Sequence, residues 1–87
     1  MRILHLTLKR KWFDLIASGK KTEEYRSDKR YWISRLAGQE FDEVHFRNGY
    51  HSDSPFMRVE CKGVELDIYE NHRFIIKLGK ILETRNY

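Results

Sequence analysis

The apolar alternation in the second half of the chain slips by one residue, and this slip constrains the fold more than any other feature of the sequence. Met57, Val59 and Cys61 fall on one face of an extended segment, while Val64, Leu66 and Ile68 fall on the other phase, with Gly63 at the break. Period-two alternation marks a half-buried strand, and a change of phase with no turn between the halves calls for a β-bulge. A bulge bends its strand and sharpens the local twist, so a sheet built around residues 57–68 is expected to curl. Three other segments alternate in the same way. They carry Leu4, Leu6 and Leu8; Val44 and Phe46; and Phe74, Ile76 and Leu78, with Ile81 and Leu82 as a continuation. Asn48-Gly49 opens a polar loop over 49–55, and 67–72 reads as a polar turn.

Two segments break the strand period. Trp12, Leu15 and Ile16 recur at i, i+3 and i+4, which predicts a short helix over Lys11–Ser18 with Trp12 in the core and Gly19 as its left-handed stop. Trp32, Ile33 and Leu36 predict a second helix over Lys29–Ala37, capped by Ser27 or Asp28 and ending near Gly38. Between them lies a short strand, Thr22 to Arg26, with Thr22, Glu24 and Arg26 on one side. The expected fold is α+β, a small β-barrel of about five strands with two short helices in the first half.

With 87 residues, positions 1–87 form one domain. A single cysteine, Cys61, rules out an intrachain disulfide, and no apolar run is long enough for a membrane span. The expectation is an intracellular, cytoplasmic domain with no membrane partner. Four histidines are present (His5, His45, His51 and His72), none at a metal-ligand spacing, so neither a metal nor a cofactor is expected. Cys61 alternates with Met57 and Val59 and reads as a small core residue.

Charge is uneven along the chain. Lys and Arg number 17 against 13 Asp and Glu, for a formal net charge of +4. Ten of the basic residues lie in the first 35 positions, opposed there by four carboxylates. A positive face of this kind attracts phosphates. Within it, Lys21 sits in a turn and Glu24 and Arg26 follow on one strand face. Arg26 offers a planar set of donors for a phosphate or a base edge, and Glu24 can accept hydrogen bonds from an exocyclic amine. The competing reading is a solvated ion-pair cluster. Tyr31 and Tyr50 are candidates for stacking on unpaired bases, whereas the helical spacing of Trp32 favours core packing.

The run Ser18-Gly19-Lys20-Lys21-Thr22-Glu23-Glu24-Tyr25-Arg26 resembles the signature of ASCH domains. Ser18, Gly19, Lys21, Thr22, Glu24 and Arg26 match it. The opening strand Leu4–Leu8, the later Tyr31-Trp32 helix and the segment Phe46–Tyr50 fit the same order, and the likeness weakens from Asp67 onward. The resemblance implies a PUA-like barrel that binds RNA or a modified nucleoside. It also implies a cleft lined by Lys21, Glu24 and Arg26, with Asn48 and Tyr50 at the rim. Some branches of the family are enzymes, including a ribonuclease-like group and an amidohydrolase of N4-acylated cytidines. On the nuclease reading Lys21 and Glu24 are the catalytic pair, with Lys21 stabilising negative charge on phosphorus and Glu24 acting as general base. The amidohydrolase branch has a threonine nucleophile where this chain has Glu24, and a carboxylate is a poor substitute for it. A third class, a protein-interaction module with an incidental basic face, also fits the composition.

Overall fold

A computed structural model describes all 87 residues, Met1–Tyr87. The elements run β1 (Ile3–Thr7), α1 (Arg10–Ala17), β2 (Glu23–Ser27), α2 (Arg30–Leu36), β3 (Glu43–Arg47), β4 (Phe56–Asp67) and β5 (Arg73–Arg85). All five strands join one sheet in the order β1-β3-β4-β5-β2. β1 pairs with β3 in parallel, and the other three pairings are antiparallel. The first two strands of the sequence are therefore the two edges of the sheet. The sheet curls into a half-barrel that brings these edges near each other, close enough for Arg26 Nη2 on β2 to donate to the Thr7 carbonyl at the end of β1, at 3.4 Å.

The curl has a local cause in the long β4–β5 hairpin. Its register shifts between Arg58 and Val59, between Val59 and Cys61 and between Cys61 and Gly63. Gly63 takes φ +146°, a backbone conformation that side chains rarely adopt. Shifts of this kind leave residues unpaired, bend the strand and raise its twist.

The apolar core holds thirteen buried side chains, drawn from β1, β3, β4, β5 and both helices, with Leu8 added just after β1. β2 contributes none. Its inward positions are fixed by antiparallel register, in which Glu24 lies opposite Ile76 and Arg26 opposite Phe74. Directly paired residues share a sheet face. Glu24 and Arg26 therefore point toward the same side as two core residues, where the pattern of the other strands would place Leu or Val.

Several sequence expectations are corrected by the packing. In α1 the buried side chains are Phe13 and Ile16, and Trp12 is 39% exposed. Phe13, Ile16 and Ala17 satisfy the same helical spacing as Trp12, Leu15 and Ile16. The placement of α1 over the end of β1 selects the former stripe and turns Trp12 toward the gap between the sheet edges. In α2 only Leu36 is buried; Trp32 is half-buried and Ile33 is exposed. Neither Ser27 nor Asp28 caps α2. Lys29 holds the N-cap position without a side-chain hydrogen bond, and Lys9 does so for α1. Leu66 and Ile68 are exposed because the far end of the hairpin runs beyond the core. Its turn is held instead by the Asp67 carboxylate, which accepts the backbone N–H groups of Tyr69, Glu70 and Asn71. Those bonds, led by the one from Glu70, lower the Asp67 pKa.

Candidate functional site

The gap between the sheet edges is a cleft of about 520 Å³. One wall is the end of β1 and the residues after it, Thr7, Leu8 and Lys9; the other is Glu24, Tyr25 and Arg26 of β2, with Trp12 of α1 and Lys21 completing it. Volumes of this order are those of small-molecule and nucleotide sites. Lys21 is seated by its own backbone, since its N–H donates to the Leu15 carbonyl at 3.0 Å just past Gly19, whose φ of +80° ends the helix.

Glu24 is the centre of the arrangement and is 5% exposed. Its Oε1 lies 3.5 Å from Lys21 Nζ and its Oε2 lies 3.0 Å from Arg26 Nη1. A carboxylate this closed to solvent needs charged or hydrogen-bonding partners, and here it has one cation on each oxygen. Two cations against one carboxylate leave the group positive, and Lys9 on the opposite wall adds to the excess. Lys21 Nζ also stands over the Trp12 and Tyr25 rings, at 5.3 and 4.6 Å from their centroids. The Arg26 guanidinium lies over the Trp32 ring at 5.2 Å, which gives the half-buried Trp32 a part in holding the site. Arg26 Nε is buried and has no hydrogen-bond partner. Such an orphaned donor is uncommon in folded proteins. Tyr25 donates to Glu23 Oε1 at 2.7 Å, and that bond raises its pKa.

Of the residues singled out in the sequence, Lys21, Glu24 and Arg26 are brought together on this cleft, and three others lie outside its lining. Asn48 donates its side-chain N–H to the Leu8 carbonyl at 2.9 Å, so it fastens the chain beside the cleft and its amide group is already engaged. Tyr50 is 90% exposed on the loop after β3. Tyr31 is exposed on α2, set edge-on to Trp32 and covered by Arg35. Sequence reasoning missed Trp12, and with it Thr7, Leu8, Lys9 and Tyr25. The available signal for Trp12 was its position directly after Lys9-Arg10-Lys11, an unusual setting for a core residue.

A second charged cluster occupies the outer face of the sheet. Glu43, 7% exposed, accepts two hydrogen bonds from Arg58, Nε to Oε1 at 2.9 Å and Nη2 to Oε2 at 3.1 Å. His45 Nε2 lies 2.9 Å from the same Oε1, and Arg58 Nη1 reaches Glu83 at 3.1 Å. The hydrogen bonds from Arg58, then the one from His45, hold the Glu43 carboxyl down at about 2, against an ordinary value of 4.5. Arg58, which bonds both Glu43 and Glu83, is the hub of this cluster. A second cavity, of about 410 Å³, runs beside Arg2, Phe41, Asp42 and Cys61. Cys61 is half-buried there, and desolvation raises its thiol pKa. No group of three or more His, Cys, Asp and Glu side chains is placed to hold a metal ion, and no helix is long and apolar enough to cross a membrane.

The chain matches no protein-family model, no curated protein and no solved structure.

Proposed function

We propose that the protein is an ASCH-like, PUA-type module that binds RNA, or a modified nucleoside within it, in the cleft formed by Lys21, Glu24 and Arg26. The observation that carries this reading is a pair of charges, Glu24 and Arg26, on the core-facing side of an edge strand, with Lys21 brought against Glu24 from the turn before it. Glu24 and Arg26 replace apolar residues where the sheet interior asks for them, and departures from local consistency of this kind concentrate at functional sites. The chemistry fits a nucleotide in two respects. The excess positive charge suits a phosphate, and the partly exposed Trp12 offers a surface for stacking. The match of Ser18, Gly19, Lys21, Thr22, Glu24 and Arg26 to the ASCH signature supports the same reading.

Binding is favoured over hydrolysis because both Glu24 oxygens are already engaged by cations. Thr22, the hydroxyl nearest in sequence to the trio, is not part of the cleft lining. The test is binding of a labelled single-stranded RNA at two salt concentrations, followed by a gel of the recovered strand. Affinity that falls with salt, is weakened by Lys21→Ala and Arg26→Ala, and leaves the strand whole would support the binding module. Unchanged affinity in both variants would remove the cleft from consideration. Strand cleavage that disappears with Glu24→Gln would replace the binding module by a nuclease.

A further inference from the structure

The outer face of the sheet is sorted by charge, and its basic end abuts the cleft. Register aligns three cross-strand rows on this face. The row farthest from the cleft holds Glu43 and Glu60. The middle row holds His5, His45, Arg58 and Glu83, and Arg58 is compensated there by Glu43 and Glu83. The row nearest the cleft is Thr7, Arg47, Phe56 and Arg85. Thr7 is itself part of the cleft wall, and the Arg47 carbonyl accepts the N–H of Leu8 from that wall at 2.8 Å.

Phe56 is buried on this outer face because two guanidinium groups cover it, Arg47 at 4.7 Å and Arg85 at 4.6 Å from the ring centroid. The two arginines differ in one respect. Arg85 is paired with Glu83, whereas Arg47 is exposed and forms no ion pair. Stacking on Phe56 restrains the Arg47 side chain, so a ligand that binds it immobilises less additional freedom. A planar guanidinium held in this way, with no carboxylate at hand, matches a phosphate group. The backbones of Arg47 and Arg85 stand roughly 10 Å apart, two inter-strand spacings.

We propose that the Arg47–Phe56–Arg85 row is a second subsite that takes the phosphates of nucleotides flanking the one in the cleft. The ligand is then a segment of single-stranded RNA rather than a free nucleoside. This rests on the cleft reading above and extends it: the cleft holds one nucleotide, and the row carries the strand away across β3, β4 and β5.

The experiment compares two ligands, a labelled single-stranded RNA octamer followed by anisotropy across a salt series, and a nucleoside monophosphate followed by calorimetry. Arg47→Ala is expected to weaken octamer binding roughly tenfold, the value of one charge-assisted contact. It should flatten the plot of log affinity against log salt by about 0.7, the increment for one phosphate on a single strand, and leave the monophosphate unchanged. Arg47→Lys should keep the salt slope, and Lys21→Ala should weaken both ligands. Octamer binding indifferent to Arg47→Ala overturns the subsite. So does an equal loss for both ligands, which would make Arg47 part of the cleft's own support. Displacement of the octamer by polyglutamate at the same charge concentration as by RNA overturns it in favour of an acidic peptide. If Lys21→Ala changes neither ligand, the cleft reading falls and takes this proposal with it. An unchanged melting temperature for Arg47→Ala and Arg47→Lys keeps these outcomes separate from unfolding.

Discussion

Glu24 and Glu43 invite comparison. Both are nearly closed to solvent, at 5% and 7% exposure, and both have an arginine partner, Arg26 and Arg58 respectively. Arg58 spends Nε, Nη1 and Nη2 on carboxylates, and Glu43 receives two of those bonds together with His45. Arg26 gives Nη1 to Glu24 and makes a long bond from Nη2 to a backbone carbonyl, and its Nε has nothing. One cluster is saturated and lies on the outer face of the sheet; the other borders a cleft and leaves one buried donor without a partner. A saturated ion cluster is a structural clamp, and breaking one partner leaves an uncompensated charge behind. An unsaturated cluster beside an opening is poised to complete its contacts with a ligand. Burial of a carboxylate does not separate the two; the count of satisfied donors does.

The comparison can be broken by substitution, and the largest effect is expected at the clamp. Glu43→Gln should lower the melting temperature more than any cleft substitution, because Arg58 loses its two-pronged partner, while RNA affinity of the folded protein stays the same. A thermal melt paired with a binding isotherm checks both halves, and a loss of affinity without a loss of stability would reverse the assignment.

Acid should act through the same carboxylate. The Glu43 carboxyl titrates at about 2 in the folded chain and at 4.5 when unperturbed. Its folded pKa is depressed, so its contribution to stability is present above 4.5 and is lost as pH falls toward about 2. Wild type should therefore lose stability across that window, and Glu43→Gln should lose less. Parallel pH–stability curves for the two proteins would contradict the clamp.

Trp12→Ala comes next. It should cost about 1–3 kcal/mol of RNA binding if a base stacks there, with a much smaller change in stability, because the core contacts of α1 belong to Phe13 and Ile16. Calorimetric binding and a melt of the same variant give the two numbers, and a stability loss without a binding loss would return Trp12 to the core.

Lys21→Ala should flatten the salt dependence by about 0.7, one phosphate's worth. If affinity is unchanged and the protein self-associates instead, the charges on β2 serve to keep a bare sheet edge from pairing with another copy. The smallest effect is expected for Tyr50→Ala. Tyr50 is exposed and outside the cleft, so affinity and stability should each move by less than about 0.5 kcal/mol. A larger loss of RNA affinity would bring the loop after β3 back into the binding surface.

Much of the element order was legible from the residues. The five strands follow the period-two runs, and the phase slip at Gly63 marks the hairpin where register shifts. The helices were located, but their faces were read only in part. In α1 two stripes one residue apart satisfy the same spacing, and only the basic run that directly precedes Trp12 ranks it against Phe13. The charged trio was visible because Glu24 and Arg26 are two apart on a strand and Lys21 precedes them by a turn. The clamp was not visible, because Glu43 and Arg58 are fifteen positions apart and meet only through the register of β3 with β4.

Local residue patterns suffice for the periods, and so for which segments are strands and helices, for where the long strand bends, and for the closeness of Lys21, Glu24 and Arg26. Those are consequences of backbone geometry acting over a few residues. Tertiary structure alone decided that β1 and β2 become the two edges of the sheet, and that the curl brings those edges together around a cleft. It also decided that Trp12 faces that cleft, whereas Asn48 is spent on a backbone carbonyl and Tyr50 stays in solvent. Each of these depends on contacts between segments far apart in the chain, which local side-chain patterns do not encode.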